Sequence, residues 1–454
     1  MKTREVIEAE KQDGILFEPV RTTGKNFYIT VSILGAISIL GLIAYITQYR
    51  IGLGVTGLSR QLFWGIYITN FVFFIGISHA GTLISAILRI CKAEWRRPIT
   101  RAAETITVLV LFFGVGSILI DLGRPDRMFN LIRYANFSSP LLWDVTSICI
   151  YLTTSSIYLY IALIPDIALL RDGGSNKLKW LYQSLSLGWT GTEKQQKRLN
   201  IAIAICAVAV IPVAISVHTV VSFVFAMTIQ PMWHSAIFGP YFVVGAIFSG
   251  IAALIVAMFL IRKYFHLEGY LKPIHFNNLG ILLLVMALLW FYFTFSEYLA
   301  TYYGGEPSHM TIFWYKLTGH FAPYFWAMFI FCFGIPFPLL AYNRTRNSVL
   351  GPTIASIAVV IGMWLERYVI IVPTLTHQRL ATEELTLYFP TWIEWSIFAG
   401  CASAFILLYV VFSKFFPIIS IWEIREGREK KRAEVIEWVD DQLPGKGTEL
   451  GKVL

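Results

Sequence analysis

The sequence predicts an all-α, polytopic membrane protein of about ten transmembrane helices, and three observations predict it. Of the 454 residues, 56% are apolar and only 14% charged, where a soluble chain carries about a quarter charged residues. The charges are clustered, which leaves ten apolar runs of the ~20 residues that cross a bilayer as helix. Lys and Arg are also divided unevenly between alternate connections, as the positive-inside rule requires of a spanning chain.

The first run, residues 27–47, follows a polar segment of mixed charge (residues 1–26) without the features of a cleavable signal. The second, 62–91, carries His79 near its middle, in GISHAGTLISA. The third, 102–121, has Glu104 near one end and Asp121 at the other, and the fourth, 140–165, opens on Asp144. The fifth, 199–228, holds His218; the sixth is 235–262; the seventh, 276–303, holds Glu297. The eighth, 321–342, follows His320, the ninth, 350–373, contains the adjacent Glu366 and Arg367, and the tenth, 391–416, begins near Glu394.

Most of the 37 Lys and Arg lie in tails and loops on the N-terminal side: RICKAEWRRPITR after the second run, residues 171–198 after the fourth, and 425–432 near the C-terminus. Both termini are therefore expected in the cytoplasm, with the chain in a bacterial inner membrane among lipids. The net charge of +9 follows from the same rule, so nucleic acid is an unneeded partner.

In that orientation the ionisable groups sort by depth. His79 is mid-membrane, Asp121 and Asp144 are at the outer face, and His218, Glu297, Glu366 and Arg367 lie in outer halves; the inner half holds little beyond Glu104. An ionisable group in hydrocarbon costs about 3 kcal/mol or more and is a functional candidate by default. Glu366 and Arg367 point about 100° apart on a helix, so each is expected to find its partner on another span.

From Asp144 the fourth run reads DVTSICIYLTTSSIYLY. Asp144, Ser147, Tyr151, Thr154 or Ser155, and Tyr158 recur at helical steps, share one face and cover about 21 Å. They read either as a hydroxyl ladder for protons, with Glu104 at its cytoplasmic end, or as close helix packing through polar side chains. The tail EIREGREKKRAEVIEWVDDQL reads as a charged amphipathic helix, either solvated or docked on a partner.

The loops are short, so chemistry belongs within the membrane or at its faces. Cys91, Cys149, Cys206, Cys332 and Cys401 lie in spans and form no C-x-x-C, a spacing that assembles neither an iron–sulfur cluster nor a zinc site. No metal, haem or iron–sulfur cluster is expected in this chain. A haem b cytochrome needs facing histidine pairs, of which His79 and His218 supply one at most; a secondary transporter needs correspondingly interrupted spans, and none stands out.

A quinone-reactive subunit fits better. A neutral imidazole can donate to a quinone oxygen or take a proton from the quinol hydroxyl, and a carboxylate can relay that proton to water. His79, Asp121 and Asp144 supply these groups on three consecutive spans, as candidate catalytic residues. Gly76 and Gly81 flank His79 and leave room for a helix or a flat ring. Trp64 and Trp143 either wall the pocket or belong to an interfacial aromatic belt. Electrons would pass through a cofactor in a partner protein at the outer face.

GISHAGTLISA, IDLGRP (residues 120–125), NFSSPLLWD (136–144), SVHTVVSFVFA (216–226) and PMWHSAIFGPYFVVGAIFSG (231–250) follow one another like the signatures of the polysulfide reductase membrane subunits, the NrfD-like proteins. The chain resembles that family over most of its length. Within it, HAGTLISA, SPLLWD, IFGPYFV and ERYVIIV are most similar to the C subunits of alternative complex III. The resemblance implies two four-helix bundles, at residues 62–228 and 235–373, with a flanking helix at each end (27–61 including its loop, and 391–416) and a cytoplasmic tail at 417–454. It implies a quinone site in the first bundle near the periplasmic face, taking menaquinone or menaquinol. A periplasmic iron–sulfur subunit would lie above it, and a second NrfD-like membrane subunit and multihaem cytochrome c subunits would accompany it.

By the same resemblance His79 matches the quinone-contacting histidine. Asp121 and Arg124 match the turn beside the pocket, where Arg124 orients an acid or binds the partner. His218 stands where many members have tyrosine and is expected to contact the quinone ring or head group, and Asp144 agrees with the alternative complex III branch. Val224 and Asp121 depart from that branch, which carries an acid near the first and a histidine at the second. One quinone site is expected rather than two, because Ser249 and Gly250 fall where a second His79 would be. The direction of electron flow stays open, with a menaquinone-reducing or polysulfide-reductase-like complex as the alternative. So does proton translocation, for which Glu104, Glu297, Glu366 and Arg367 join the ladder as candidates.

Overall fold

The ten apolar runs are all helical, because backbone groups in hydrocarbon must pair within their own segment. The computed structural model describes residues 14, 16–20, 22–173, 178–377 and 387–442, the side chains of residues 80, 82 and 83 excepted. Ten helices among them are long and apolar enough to cross a membrane: α1 (Lys25–Ile51), α2 (Ile66–Ile90), α3 (Thr100–Asp121), α4 (Pro140–Gly173), α5 (Glu193–Ala226), α6 (Phe238–Tyr264), α7 (Pro273–Gly304), α8 (Ala322–Ala341), α9 (Leu350–Leu375) and α10 (Trp392–Phe415). No strand occurs among the described residues.

The two longest helices reach well past the bilayer. α4 and α5 have 34 residues each, about 51 Å of helix, so both project beyond a hydrocarbon core of about 30 Å. They absorb much of what reads as the longest loop. In α8 a π turn, Ile330–Gly334, precedes Pro336, whose missing N–H interrupts the regular ladder.

α2 packs on α3, α3 on α4, α4 on α5, and α5 back on α2, closing a four-helix ring; α6, α7, α8 and α9 close a second ring in the same way. The rings meet where α2 packs on α6 and α9, and α5 on α6. Shared by both rings, α2 is buried over most of its length. The flanking helices pair with each other, and α10 also lies against α2 and α3. A Cβ on Gly41 would stand 2.6 Å from the Gly400 Cα, so glycine on both helices sets that crossing. Ser403 adds a hydroxyl bond to the Leu34 carbonyl at 2.8 Å.

Lys414 Nζ donates to the carbonyls of Pro19 and Thr22, at 2.8 and 2.7 Å, so both terminal segments meet on one face, the terminal face. There the C-terminal helix, Ile421–Gln442, docks on its own chain. Asp166 of α4 accepts from the amides of Trp422 and Ile421, at 3.0 and 3.3 Å, and the Trp422 indole donates to the Ala162 carbonyl at 3.0 Å. Glu423 is buried between Arg89 and Arg96. Burial pushes its carboxyl up, but the two guanidiniums outweigh that and hold it below the usual value. The tail is thus neither wholly solvated nor reserved for a partner: its first turns seal the terminal face of the first bundle, while Trp438 and its neighbours remain exposed.

Candidate functional site

Three helices converge on one turn of α2. The hydroxyls of Thr107 (α3) and Tyr151 (α4) both donate to the Ser78 carbonyl, at 2.5 and 3.0 Å. The next residue, His79, places Nε2 2.7 Å from the Ala214 carbonyl of α5. Glycine makes the α2–α3 approach possible, since a Cβ on Gly81 would lie 1.8 Å from the Ala103 carbonyl oxygen.

His79 is fully buried, and its Nδ1 faces the Ile75 carbonyl of its own helix at 3.2 Å. A neutral imidazole has one N–H. The shorter contact takes it, so His79 ties α2 to α5. His218 of α5 packs edge-on against it, with ring centroids 3.9 Å apart at 72°, and the Tyr151 ring lies 5.4 Å from His79. His218 is also fully buried, yet neither of its nitrogens has a hydrogen-bond partner. Such a group costs about 1–3 kcal/mol and marks a place for a water, an ion or a ligand. The unpaired imidazole is therefore His218, while His79 holds it in place. The pair does not fit a haem: two ligands of one iron stand on opposite faces of the macrocycle, and these rings touch.

Other predicted members of the quinone pocket lie elsewhere. Asp121 interacts with Tyr67 and Glu394, beside α1 and α10, and Tyr67 is about 18 Å along α2 from His79. Arg124 forms a surface pair with Asp126 at 2.9 Å, the two side chains 62% and 47% exposed, and orients no buried acid. Trp64 stacks on Trp233 at 6.0 Å and packs edge-on against Phe225, just before the start of α2, which is about 20 Å along the helix from His79. Trp143 is exposed, its indole donating to the Phe137 carbonyl at 2.7 Å, so it walls no pocket with Trp64.

The α4 face is resolved in favour of Ser155. Asp144, Tyr151, Ser155 and Tyr158 are buried, whereas Ser147 and Thr154 are only half-buried, and Ser147 turns back to the Asp144 carbonyl at 2.9 Å. Asp144 lies about 10 Å along α4 from Tyr151, towards the face opposite the termini. One Asp144 oxygen and the Ser155 hydroxyl are buried without partners. Towards the terminal face, Ser85 donates to Glu104 at 2.7 Å and lies 3.2 Å from the Tyr158 hydroxyl.

A second polar group occupies the other ring. Arg367 curls back on its neighbour, with Nη1 2.8 Å from Glu366 Oε2 but without aligned hydrogen-bond geometry. The 100° offset of these neighbours does not keep them apart, because the guanidinium reaches across it. Each also has a contact on another span. Glu366 accepts from the Trp290 indole at 3.3 Å and interacts with Tyr241; Arg367 lies 4.8 Å from the Phe242 ring centre. Arg367 also acts electrostatically on His218, linking the rings.

Glu366 lines a cavity with Tyr241, Thr294, Glu297 and Lys316. Ser235 donates to Glu297 at 2.6 Å. Lys316 is absent from the predicted site because it falls between apolar runs, in the short helix Pro307–Leu317; its one signal is a lone charge in IFWYKL. Burial pushes its ammonium down to about 8 against the attraction of Glu297. His234, Glu306 and His309 also meet, close to the loop that carries Ser235.

The family model for polysulphide reductase, NrfD, matches residues 54–377. The chain is similar to the C subunit of the selenate reductase of Mesobacillus selenatarsenatis, 24% identical over 87% of this chain and 95% of that one. It is equally similar to the Hdr-like menaquinol oxidoreductase integral membrane subunit of Archaeoglobus fulgidus, 24% identical over 89% and 97%. The C membrane subunit of a putative dimethyl sulfoxide reductase of Halobacterium salinarum is 27% identical over 52% of each chain, about half its length. With the family model spanning eight of the ten membrane helices, from the approach to α2 to the end of α9, the chain belongs to the NrfD polysulphide reductase family.

Proposed function

We propose that this chain is the quinone-reactive membrane subunit of an oxidoreductase complex. It oxidises menaquinol in the first bundle and passes the electrons to a cofactor in an iron–sulfur partner on the face opposite the termini. The carrying observation is the buried His79–His218 pair, whose His218 nitrogens lack partners. The relative from Archaeoglobus, named a menaquinol oxidoreductase subunit and similar over 89% of this chain, supports the substrate.

Oxidation of a quinol releases two protons and two electrons. His218 accepts each hydroxyl proton in turn at its free nitrogen, held in register by the contact with His79. Asp144, about 10 Å further along α4 than Tyr151, passes it towards the opposite face, which is periplasmic in this reading. The electrons leave singly to the partner's cofactor. Glu104, Ser85 and Tyr158 offer a proton route from the terminal face, and Arg367, Glu366, Glu297 and Lys316 one through the second ring. The assembly is like alternative complex III, with a second NrfD-like subunit and multihaem cytochrome c. A polysulfide-reductase-like anchor is the second reading, favoured by the two relatives named as reductase subunits.

The test uses the purified native assembly. Quinol:acceptor electron transfer and quenching of tryptophan fluorescence by a quinol analogue are measured for the parent, His79→Leu and His218→Leu. Binding and turnover should fall together while the complex stays assembled. Survival of both in both variants would move the site to Glu297, Glu366 and Arg367.

A further inference from the structure

The quinone reading leaves unused a cluster of ligating side chains on the face opposite the termini. His234 lies between α5 and α6, and Glu306 and His309 lie at the start of the helix Pro307–Leu317. One ligand atom from each falls within 4.8 Å of the others. The two imidazole rings meet at 4.5 Å, and His309 Nε2 is 3.7 Å from Glu306 Oε2.

Two observations set the cluster apart from a chance grouping of surface residues. His234 Nδ1 is 3.1 Å from the Gln230 carbonyl. That bond takes the N–H of the neutral ring and leaves Nε2 with a bare lone pair, as in imidazoles that bind metals. His309 Nε2 is buried and has no hydrogen-bond partner, so a basic nitrogen faces the cluster unsatisfied. The backbone holds all three in place. Gly305, in the left-handed region at φ +61°, turns the chain out of α7 and sets Glu306 at the N-cap position of the next helix. Trp233 anchors the other loop through its indole bond to the Ile370 carbonyl at 2.8 Å.

We propose that His234, Glu306 and His309 form a divalent-cation site of the zinc type, which clamps the α5–α6 connection to the helix Pro307–Leu317. Ligand atoms around a tetrahedral zinc stand about 3.3 Å apart. The His309–Glu306 separation, 3.7 Å, is already near that value, and all three ligand atoms lie within 4.8 Å of one another. Two imidazoles and one carboxylate suit Zn²⁺, with Cu²⁺ as a spectroscopic substitute, and disfavour Mg²⁺ and Ca²⁺, which take oxygen ligands. A fourth position stays open to water. The site does not depend on the quinone reading.

The experiment uses the native assembly, free of any polyhistidine tag and stripped with chelator, titrated with ZnCl₂ by calorimetry. One site per chain is expected, weakened at least tenfold in His234→Ala and in His309→Ala, with quinol turnover in zinc-free buffer unchanged. Electron paramagnetic resonance of the parent loaded with one Cu²⁺ should show splitting from two imidazole nitrogens, and from one in either variant. Zinc affinity unaltered in the double variant overturns the proposal. So does a parent copper spectrum without two nitrogen ligands, an outcome that needs no variant to fold.

Discussion

His79→Leu and His218→Leu remove the same side chain from two rings in contact, yet they should change stability in opposite directions. In His218→Leu two buried nitrogens without partners disappear, relieving about 1–3 kcal/mol, while a swap of similar volume costs under about 1.5 kcal/mol. The balance runs from about 0.5 kcal/mol less stable to about 3 kcal/mol more stable and centres on a gain of about 1 kcal/mol. His79→Leu instead breaks the 2.7 Å bond to the Ala214 carbonyl, which stabilises by about 0.5–1.5 kcal/mol. That oxygen keeps its helical partner, so no orphan is created and the loss stays near 1 kcal/mol. Turnover should fall about 100-fold or more in both, the usual contribution of a positioned acid–base group. Denaturant unfolding in detergent, paired with quinol oxidation on the same preparations, reads both quantities. A His218→Leu chain less stable than His79→Leu would mean that the His218 nitrogens are satisfied in the native protein, and the reasoning would fail. Retained turnover in His218→Leu would sink its acid–base role separately.

Three further outcomes follow from the same geometry. Asp144→Asn should leave quinol-analogue binding intact while slowing turnover; an unchanged rate would reduce Asp144 to a buried acid at the bundle end. Glu423→Gln strips Arg89 and Arg96 of their counter-charge and should cost about 3–5 kcal/mol of docking, seen as rapid proteolysis within Ile421–Gln442. Because the folded Glu423 carboxyl sits below its usual value, parental docking should be full above the unfolded pKa of about 4.3 and lost as pH falls through the depressed folded value. Lys316 has the same sign in a higher window: its folded value of about 8 lies below an unfolded ~10.4, so the unfolded chain binds more protons between the two. Parental stability should rise across that window by on the order of 3 kcal/mol, and Lys316→Met should flatten the rise.

The ten helices were legible because a membrane span is written locally, in an apolar run and its charged borders. The face of α4 was legible as well, since helical spacing alone places Asp144, Tyr151 and Tyr158 together; the choice of Ser155 over Thr154 depends on which neighbour α4 meets. Depth carried more than was drawn from it. Asp121 ends its span while His79 is central in its own, and that offset already separates them, as the Asp121–Tyr67 contact bears out. The contact of His218 with His79 is a matter of how α5 turns against α2, which no local pattern encodes. Lys316 was hidden between apolar runs, and the cluster of His234 with His309 requires two distant loops to meet. Arg367 reaches Glu366 through side-chain length, which an argument from helical angle leaves out.

The most direct measurement is to photolabel the native assembly with an azido-menaquinol analogue and map the adducts by mass spectrometry. The account predicts adducts on α2, α4 and α5, around His79, Tyr151 and His218, competed away by unlabelled quinol. Competed labelling confined to α6–α9 would contradict it and place the quinone in the second ring.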